Sequence, residues 1–262
     1  MKYLLSLLLI FPEMVFAQGP IDGYMRGKNE TDIALTYAYE KYTQYWFGSE
    51  LQDRELTTKT ASFYVAHGLG SRFNLIVSVP YVWTLDEKSL QDAILAIKFR
   101  NEAKEYSHGK LSKITGIGFS FPIGDYDINA ENPIGEKAVS FLLRYLMQYQ
   151  SNQGWFVHLQ SGMEFRFVPI AKLGIPVVFK AGWGGRKLYF DAWLDFFHTF
   201  NSGINQSITA GEGSQFLKIG GTIYYGITPH FGVFVGGAKF LSGKNIGKAN
   251  RVNLGVVWKN FR

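Results

Sequence analysis

Seven charged residues share one parity in segments whose other positions alternate between apolar and small side chains. They are Arg144, Glu164, Arg166, Lys180, Asp191, Asp195 and Lys218, and the same parity holds Asp32, Asp92 and Lys98 on earlier segments. Such residues can line a pore and set an electrostatic field for passing solutes. They can equally form salt bridges that fill and stiffen an interior, and the two interpretations are compatible. We expect Arg144, Arg166 and Lys180 to form a basic stripe that faces the two aspartates.

Hydrolysis by a serine and a histidine is the next chemistry to consider. The five histidines are His67, His108, His158, His198 and His230. Ser161 lies near His158, but a separation of three in an extended strand places the two side chains on opposite faces. The chain has no cysteine, and its histidines are isolated. The sequence therefore predicts no catalytic residue, no metal site, no cofactor and no enzyme activity.

The elements that position these residues are predicted to be β-strands. Between Leu111 and Tyr149, two runs alternate with a period of two, which is typical of extended strands with one apolar face. About twelve such runs recur along the chain. The links after the second, sixth, eighth and tenth runs are short, and those after the first, fifth, ninth and eleventh are long. We therefore predict an all-β protein, an antiparallel transmembrane β-barrel of about 12 strands, with the long links outside.

Two of these links are expected to be polar surface loops. Ile123–Lys137 is too polar for a core and reads as a long exposed loop, and Asn201–Ser214 is a second long loop. Gly48–Glu55 is a third polar link, and Asn101–Lys110 is a charged connector of middling length. Either of the two long loops could bind a partner.

The N-terminus has the features of a secretory signal. Lys2 precedes the apolar run Tyr3–Phe11, and Val15-Phe16-Ala17 provides residues that a signal peptidase accepts. The run is shorter than the ~20 residues that a spanning helix needs. We predict a signal peptide at residues 1–17 and one mature barrel domain at residues 18–262.

Periodicity does not say which face of the strands is inside. Aromatic residues near strand ends favour a membrane barrel with aromatic girdles at the two membrane surfaces. A secreted soluble β-sandwich is the alternative fold. The aromatic residues include Trp83, Trp155, Trp183, Tyr189, Tyr225 and Trp258.

The net charge of +6 is scattered along the chain, which argues against nucleic acid as a partner. We expect a bacterial outer-membrane location, with membrane lipid, small solutes and the outer-membrane assembly machinery as partners. Phe261 is the aromatic residue typical of a last strand, although Arg262 follows it.

Three short segments resemble the MetA-pathway phenol-degradation family of outer-membrane proteins. They are Val79-Pro80-Tyr81, Leu90–Phe99 and Phe121-Pro122-Ile123-Gly124-Asp125. The chain departs from the family pattern at Ile123, where Thr is usual, and at Gln91, where Gly often precedes the aspartate. The resemblance implies a barrel associated with uptake of hydrophobic or aromatic compounds, and it supplies no catalytic or binding residue.

The predicted function is therefore a channel or transporter for small, hydrophobic or aromatic solutes that cross by passive diffusion. A structural or adhesive barrel without transport is the alternative. A barrel enzyme acting on lipid is a third hypothesis, which the absence of a Ser–His pair argues against.

Overall fold

Every regular element among the described residues is a β-strand. A computed structural model describes residues 21–128, 130, 132–169, 171–201 and 213–260. Its strands are β1 (Thr31–Phe47), β2 (Glu50–Gly68), β3 (Phe73–Trp83), β4 (Lys88–Leu90), β5 (Asp92–Tyr106), β6 (Gly109–Pro122), β7 (Val139–Ser151), β8 (Trp155–Val168), β9 (Lys172–Gly184), β10 (Leu188–Asn201), β11 (Gln215–Gly226), β12 (Phe231–Lys244), β13 (Ile246–Gly247) and β14 (Asn250–Asn260). In this part of the chain, no helix is long and apolar enough to cross a membrane.

The sheet closes on itself through β1. Ile33 of β1 pairs with Val65 of β2 on one side and with Trp258 of β14 on the other. Twelve long antiparallel strands form the ring, and the short strands β4 and β13 are added to β3 and β1. A closed ring leaves no edge, which is the condition for a sheet to span a membrane. The predicted all-β, antiparallel barrel of about 12 strands is confirmed.

The apolar face of the strands lies outside. On β14, Leu254 is 56% exposed, whereas the neighbouring Asn253 and Lys259, which face inward, are 3% exposed. Large outward side chains elsewhere include Leu35, Phe63, Leu95, Ile117, Phe119, Tyr145, Leu159, Phe179, Ile223 and Val235. A soluble protein does not leave so continuous an apolar surface in water, but a bilayer covers it. The soluble alternative is therefore rejected.

The two ends of the barrel differ in the length of their connections. One end carries the short turns 69–72, 107–108, 152–154, 185–187 and 227–230, together with the start of β1 and the end of β14. The other end carries the longer connections 84–91, 123–138 and 202–214, together with the short connections 48–49 and 169–171. Outer-membrane barrels have short periplasmic turns and longer external loops. The long connections therefore mark the external end.

Two predicted links are largely strand. Gly48–Glu55 shrinks to a two-residue turn because β2 begins at Glu50, and Asn101–Lys110 shrinks to Ser107-His108. These expectations were wrong because residues 50–55 of β2 and 101–106 of β5 are largely polar and exposed on both faces, and bulges interrupt the alternation. Cross-strand ion pairs stabilise the tips instead, as between Lys113 and Glu102 at 2.6 Å.

The connection 123–138 is only partly exposed. Tyr126 and Ile134 are 4% and 6% exposed and pack against Val82 of β3. The expectation of a wholly exposed loop was wrong because two apolar side chains dock it onto the external end of the barrel. The predicted signal peptide, Phe261 and most of the connection 201–214 lie outside the described residues.

Candidate functional site

The structure places all seven sequence-predicted residues on the inner face of β7–β11. Arg144 lies on β7, Glu164 and Arg166 on β8, Lys180 on β9, Asp191 and Asp195 on β10, and Lys218 on β11. The two aspartates are buried, and the other five are half-buried. Their parity follows from the period-two alternation of the strands. Whether they act on solutes stays a proposal.

The charges on this inner face are neutralised in neighbouring pairs. Arg144 lies 2.9 Å from Glu164, and Lys218 lies 2.9 Å from Asp195. The other two pairs are Lys180 with Asp191, at 3.3 Å, and Arg166 with Glu136 of the external connection 123–138. The expected basic stripe facing both aspartates is not formed, because Arg144 and Arg166 each take a glutamate as partner. The strand register decides these choices, and periodicity does not reveal it.

The periplasmic half of the lumen is occupied by residues 21–27, which we call the luminal segment. Arg26 donates to Asp22 at 2.9 Å and to Asp32 of β1 at 3.0 Å, and Lys98 of β5 donates to Asp22. Asn74 of β3 accepts from the Arg26 amide at 2.7 Å and donates to its carbonyl at 2.9 Å. All five side chains are buried. Two acids and two bases therefore neutralise one another inside the barrel.

Asp22 is ionised in this cluster. Its burial opposes ionisation, but the positive charges of Arg26 and Lys98 and their hydrogen bonds outweigh that cost. The pKa of the Asp22 carboxyl is therefore held below its ordinary value. Charge-assisted hydrogen bonds and ion pairs therefore hold the luminal segment against the wall.

Apolar contacts complete the seat of the luminal segment. The ring of Tyr24 packs edge-on against Phe156 with centroids 6.0 Å apart, and Phe156 stacks on Tyr189 at 5.5 Å. Ile21 lies over Gly116, where an added Cβ would be 3.0 Å from the Ile21 side chain. Together these side chains fill the periplasmic half of the lumen.

Sequence analysis missed the luminal segment because it does not alternate with a period of two. The available signal was Asp22 and Arg26, which stand four residues apart in an otherwise apolar and Gly-bearing stretch. A charged pair so close to the first strand could have indicated an interior partner for Asp32 and Lys98, whose inward parity the sequence did predict.

A cavity of about 390 Å³ lies in the external half of the lumen, and we call it the outer cavity. Its lining includes Tyr45, Glu136, Glu164, Arg166, Lys172, Phe197, Thr199 and Asn245. Glu136 reaches it from the connection 123–138, whereas the other residues come from the barrel strands and the β12–β13 link. The lining thus combines two aromatic rings with charges of both signs.

The segments that carry the family resemblance meet at the base of the connection 123–138, where the Gln91 amide donates to the Pro80 carbonyl at 2.9 Å. The Tyr126 hydroxyl donates to Asp92 at 2.6 Å and accepts from the Lys137 amide at 3.0 Å. Gln91 donates to the Ile134 carbonyl. Burial and the neighbouring Asp92 charge raise the pKa of Tyr126. These motifs therefore form a structural corner that holds the connection 123–138 at the external mouth.

Aromatic rings surround the ammonium group of Lys218. Its Nζ lies 4.9 Å from the centroid of Phe216, 5.7 Å from Phe240 and 5.8 Å from Trp193. A cation over aromatic faces is stabilised by the ring quadrupole. Phe197 of the outer cavity stacks on Phe216 at 5.5 Å. An aromatic surface therefore continues from the outer cavity along β10–β12.

The residues considered for enzyme chemistry have other contacts. Ser161 donates to the Pro176 carbonyl at 3.1 Å, and His158 lies 3.2 Å from Gln148. Within the described ranges, no group of three or more His, Cys, Asp or Glu residues could hold a metal ion. The prediction that the chain is not an enzyme stays a prediction.

Comparison with known proteins finds similarity at the level of structure. The COG4313 outer membrane channel from Pseudomonas putida F1 superposes with a TM-score of 0.75 and 13% identity, over 95% of this chain and 100% of that chain. The chain is an outer-membrane β-barrel. The NanC porin has a TM-score of 0.56 at 8% identity, covering 86% and 98%, and the KdgM porin has 0.52 at 12%, covering 87% and 99%.

No family model and no curated protein matches the sequence of this barrel. The low identities mean that the structural likeness concerns the fold. Together with the apolar exterior, that fold places the barrel in the bacterial outer membrane, as the sequence predicted.

Proposed function

We propose that this barrel is a channel that passes small solutes across the outer membrane by passive diffusion, and that these solutes are hydrophobic or aromatic. The observation that carries the proposal is the outer cavity, whose 390 Å³ lies in the size range of small-molecule sites. It lies at the external end of the lumen, between the mouth and the luminal segment. A solute that enters from outside would occupy it first.

The paired charges favour neutral solutes. Arg144 is neutralised by Glu164 and Arg166 by Glu136, so neither guanidinium presents an uncompensated charge to the lumen. A lumen with compensated charges has a weak net field and concentrates ions of neither sign strongly. The passage of neutral solutes does not depend on such a field.

The aromatic lining favours solutes that carry a ring or other apolar surface. Tyr45 and Phe197 lie in the outer cavity, and Phe197 stacks on Phe216. Aromatic rings pair favourably by offset stacking or edge-to-face contact. A small aromatic solute could therefore exchange one ring contact for the next as it moves along β10 and β11.

The sequence motifs support the same solute class. The COG4313 channel represents the phenol-degradation family that these motifs resemble. That family is associated with uptake of hydrophobic or aromatic compounds, and the proposal extends this association to the present barrel.

Transport requires the luminal segment to move. Its contacts with the wall are hydrogen bonds, ion pairs and ring packing, which can be broken and reformed. Displacement of this segment would join the outer cavity to the periplasmic mouth. The filled inner half also favours the second candidate, a structural or adhesive barrel without transport.

Two measurements on the full-length mature barrel test the proposal. Swelling of protein-bearing liposomes in glucose reports whether a path exists at all. Single-channel currents in planar bilayers, with phenol or glucose added at equal concentration, report which solute occupies that path. We expect swelling above that of protein-free liposomes, and current interruptions with phenol that are more frequent than with glucose.

The outcomes separate the candidates. Absence of both swelling and current would support the structural barrel. A current that phenol and glucose interrupt equally would preserve the channel and refute the aromatic preference. Release of acyl chains from phospholipid by the purified protein would instead support a barrel enzyme.

A further inference from the structure

Four lysines form an outward-facing group at the external end of the barrel. We call Lys41, Lys59, Lys88 and Lys239 the outer lysine belt. Lys239 of β12 and Lys41 of β1 both pair with Asn250 of β14, and Lys59 of β2 and Lys88 of β4 both pair with Trp83 of β3. Strand residues directly opposite one another share a face. The belt therefore runs along one wall, from β12 through β14, β1, β2 and β3 to β4.

Aromatic neighbours place the belt at the boundary between membrane and water. Lys59 lies between Tyr39 and Trp83 in the strand register. Trp83 also contacts Tyr37 and Tyr81, with ring centroids 5.9 and 5.8 Å apart. Tyrosine and tryptophan concentrate at the level of the lipid headgroups. Because the long connections mark the external end, this level is that of the outer leaflet.

Most of the belt has no anionic partner among the described residues. Lys59, Lys88 and Lys239 form no ion pair with any residue in the described part of the chain, whereas Lys41 lies 2.5 Å from Glu55. The two acids that precede Lys88 in the sequence, Asp86 and Glu87, instead accept hydrogen bonds from the connection 123–138. The belt therefore presents excess positive charge to the headgroups.

The remaining wall has a different composition. On the external halves of β6–β10, as far as they are described, outward positions carry phenylalanines and neither lysine nor arginine. They include Phe119, Phe121, Phe141, Phe165, Phe167, Phe196 and Phe200. A belt needed only for solubility or for general interfacial anchoring would surround the barrel. Its restriction to one wall indicates a local ligand.

We propose that the outer lysine belt binds the phosphate groups of lipopolysaccharide in the outer leaflet. An ammonium group is a compact point charge suited to phosphate oxygens, and several lysines can share a bis-phosphorylated headgroup. Tyr39 and Trp83 contact the boundary between the sugars and the acyl chains, while lysines near a lipid surface add electrostatic attraction. The site faces the membrane and is independent of the lumen.

Lipid A supplies a direct probe. The mature barrel in detergent micelles is titrated with bis-phosphorylated lipid A, with dephosphorylated lipid A and with phosphatidylglycerol, in the presence of a chelator that removes bridging divalent cations. Bound lipid is counted by native mass spectrometry. We expect the bis-phosphorylated form to bind about tenfold more tightly than the other two, and this preference to weaken as salt rises.

Variants test whether the lysines of the belt cause the preference for bis-phosphorylated lipid A. The triple variant Lys59→Gln, Lys88→Gln and Lys239→Gln is expected to lose the preference, whereas Lys187→Gln, in the exposed periplasmic turn 185–187, is expected to keep it. Equal loss in both variants, or no loss in the triple variant, would overturn the proposal.

The unmodified protein also decides the question. Equal affinity for the two forms of lipid A would refute the role of phosphate, and equal affinity for phosphatidylglycerol would refute the assignment to lipopolysaccharide. Neither comparison requires a folded variant. Because the readout is lipid binding and not conductance, its outcome is separate from that of the proposed channel function.

Discussion

The guanidinium of Arg26 lies 2.9 Å from the carboxylate of Asp32, and both side chains are almost wholly buried in the lumen. This contact joins the luminal segment to the first strand of the barrel. A buried ion pair adds little net stability when intact, but removal of one partner leaves a buried charge without compensation and costs ~3–5 kcal/mol. The contact therefore controls where the segment sits.

Replacement of Arg26 is expected to release the luminal segment. Arg26→Met leaves Asp22 and Asp32 facing each other without their shared cation, so the segment should leave its seat. Single-channel conductance in planar bilayers should rise about twofold or more because the inner end of the lumen then widens. Arg186→Met, in the exposed turn 185–187, is the matched control. Unchanged conductance in a correctly folded Arg26→Met barrel would show that the segment does not limit flow.

The attachment of the luminal segment to the barrel wall is expected to weaken in acid. The folded-state pKa of Asp22 lies below its ordinary value of about 3.9, so its contribution to stability is complete at neutral pH. As the pH falls through about 4, the unfolded state takes up the proton first and the contribution is lost. The melting temperature of the wild type should therefore exceed that of Asp22→Asn at pH 7, and the difference should shrink by about pH 3. Asp53→Asn, on the exposed tip of β2, serves as control, and a difference that does not change with pH would contradict the assignment.

Gly23 is expected to be required for close approach to the wall. A Cβ at this position would lie 2.1 Å from Gln148 Oε1 and 2.7 Å from His158 Nδ1. Gly23→Ala should displace the luminal segment and raise conductance. A second change, Gln148→Ala, removes the side chain that the added methyl group would meet, so it should return the segment in part to its original position and lower conductance again. Gly70→Ala, where an added Cβ would have no atom within 4 Å, should have no effect. Equal conductance in the single and double variants would show that the clash with Gln148 is not the cause.

Charge reversal at Arg166 tests whether the inner charges act on solutes. Arg166→Glu places a third carboxylate beside Glu136 and Glu164 at the outer cavity. The ratio of cation to anion permeability, measured as a reversal potential in a salt gradient, should rise about twofold. Lys239→Glu changes the charge by the same amount on the outer face and should leave the ratio unchanged. An unaltered conductance and ratio in Arg166→Glu would remove the pore-lining role.

The corner at the base of the connection 123–138 is expected to contribute stability and not chemistry. Tyr126→Phe removes the hydrogen bond to Asp92 and leaves a half-buried carboxylate with one fewer donor. The free energy of unfolding in urea should fall by ~1–3 kcal/mol. Tyr106→Phe, on the exposed periplasmic tip of β5, is the control for loss of a hydroxyl. A Tyr126→Phe barrel as stable as the wild type would show that the corner is held by its apolar contacts alone.

Strands with one apolar and one polar face were predicted best. Alternation on β14 identified both faces because side chains in a strand point to opposite sides with a period of two. Residues 50–55 of β2 and 101–106 of β5 were not predicted as strand because they are largely polar and exposed on both faces. Cross-strand ion pairs such as Lys113 with Glu102 replace the apolar signal. The external connection 123–138 was misjudged because two buried side chains, Tyr126 and Ile134, suffice to dock a polar loop.

For the candidate site, the sequence predicted which strand face each charged residue occupies but not which residue it pairs with. By itself the sequence determined that Arg144, Lys180, Asp191 and Lys218 share one face, since parity is a local property. Closure of the ring and the register of neighbouring strands decided that this face is the interior and which acid each base contacts. The luminal segment, which follows no period, was decided by tertiary structure alone. Its position depends on Asp32, Asn74 and Lys98, which only the closed barrel brings together around Asp22 and Arg26.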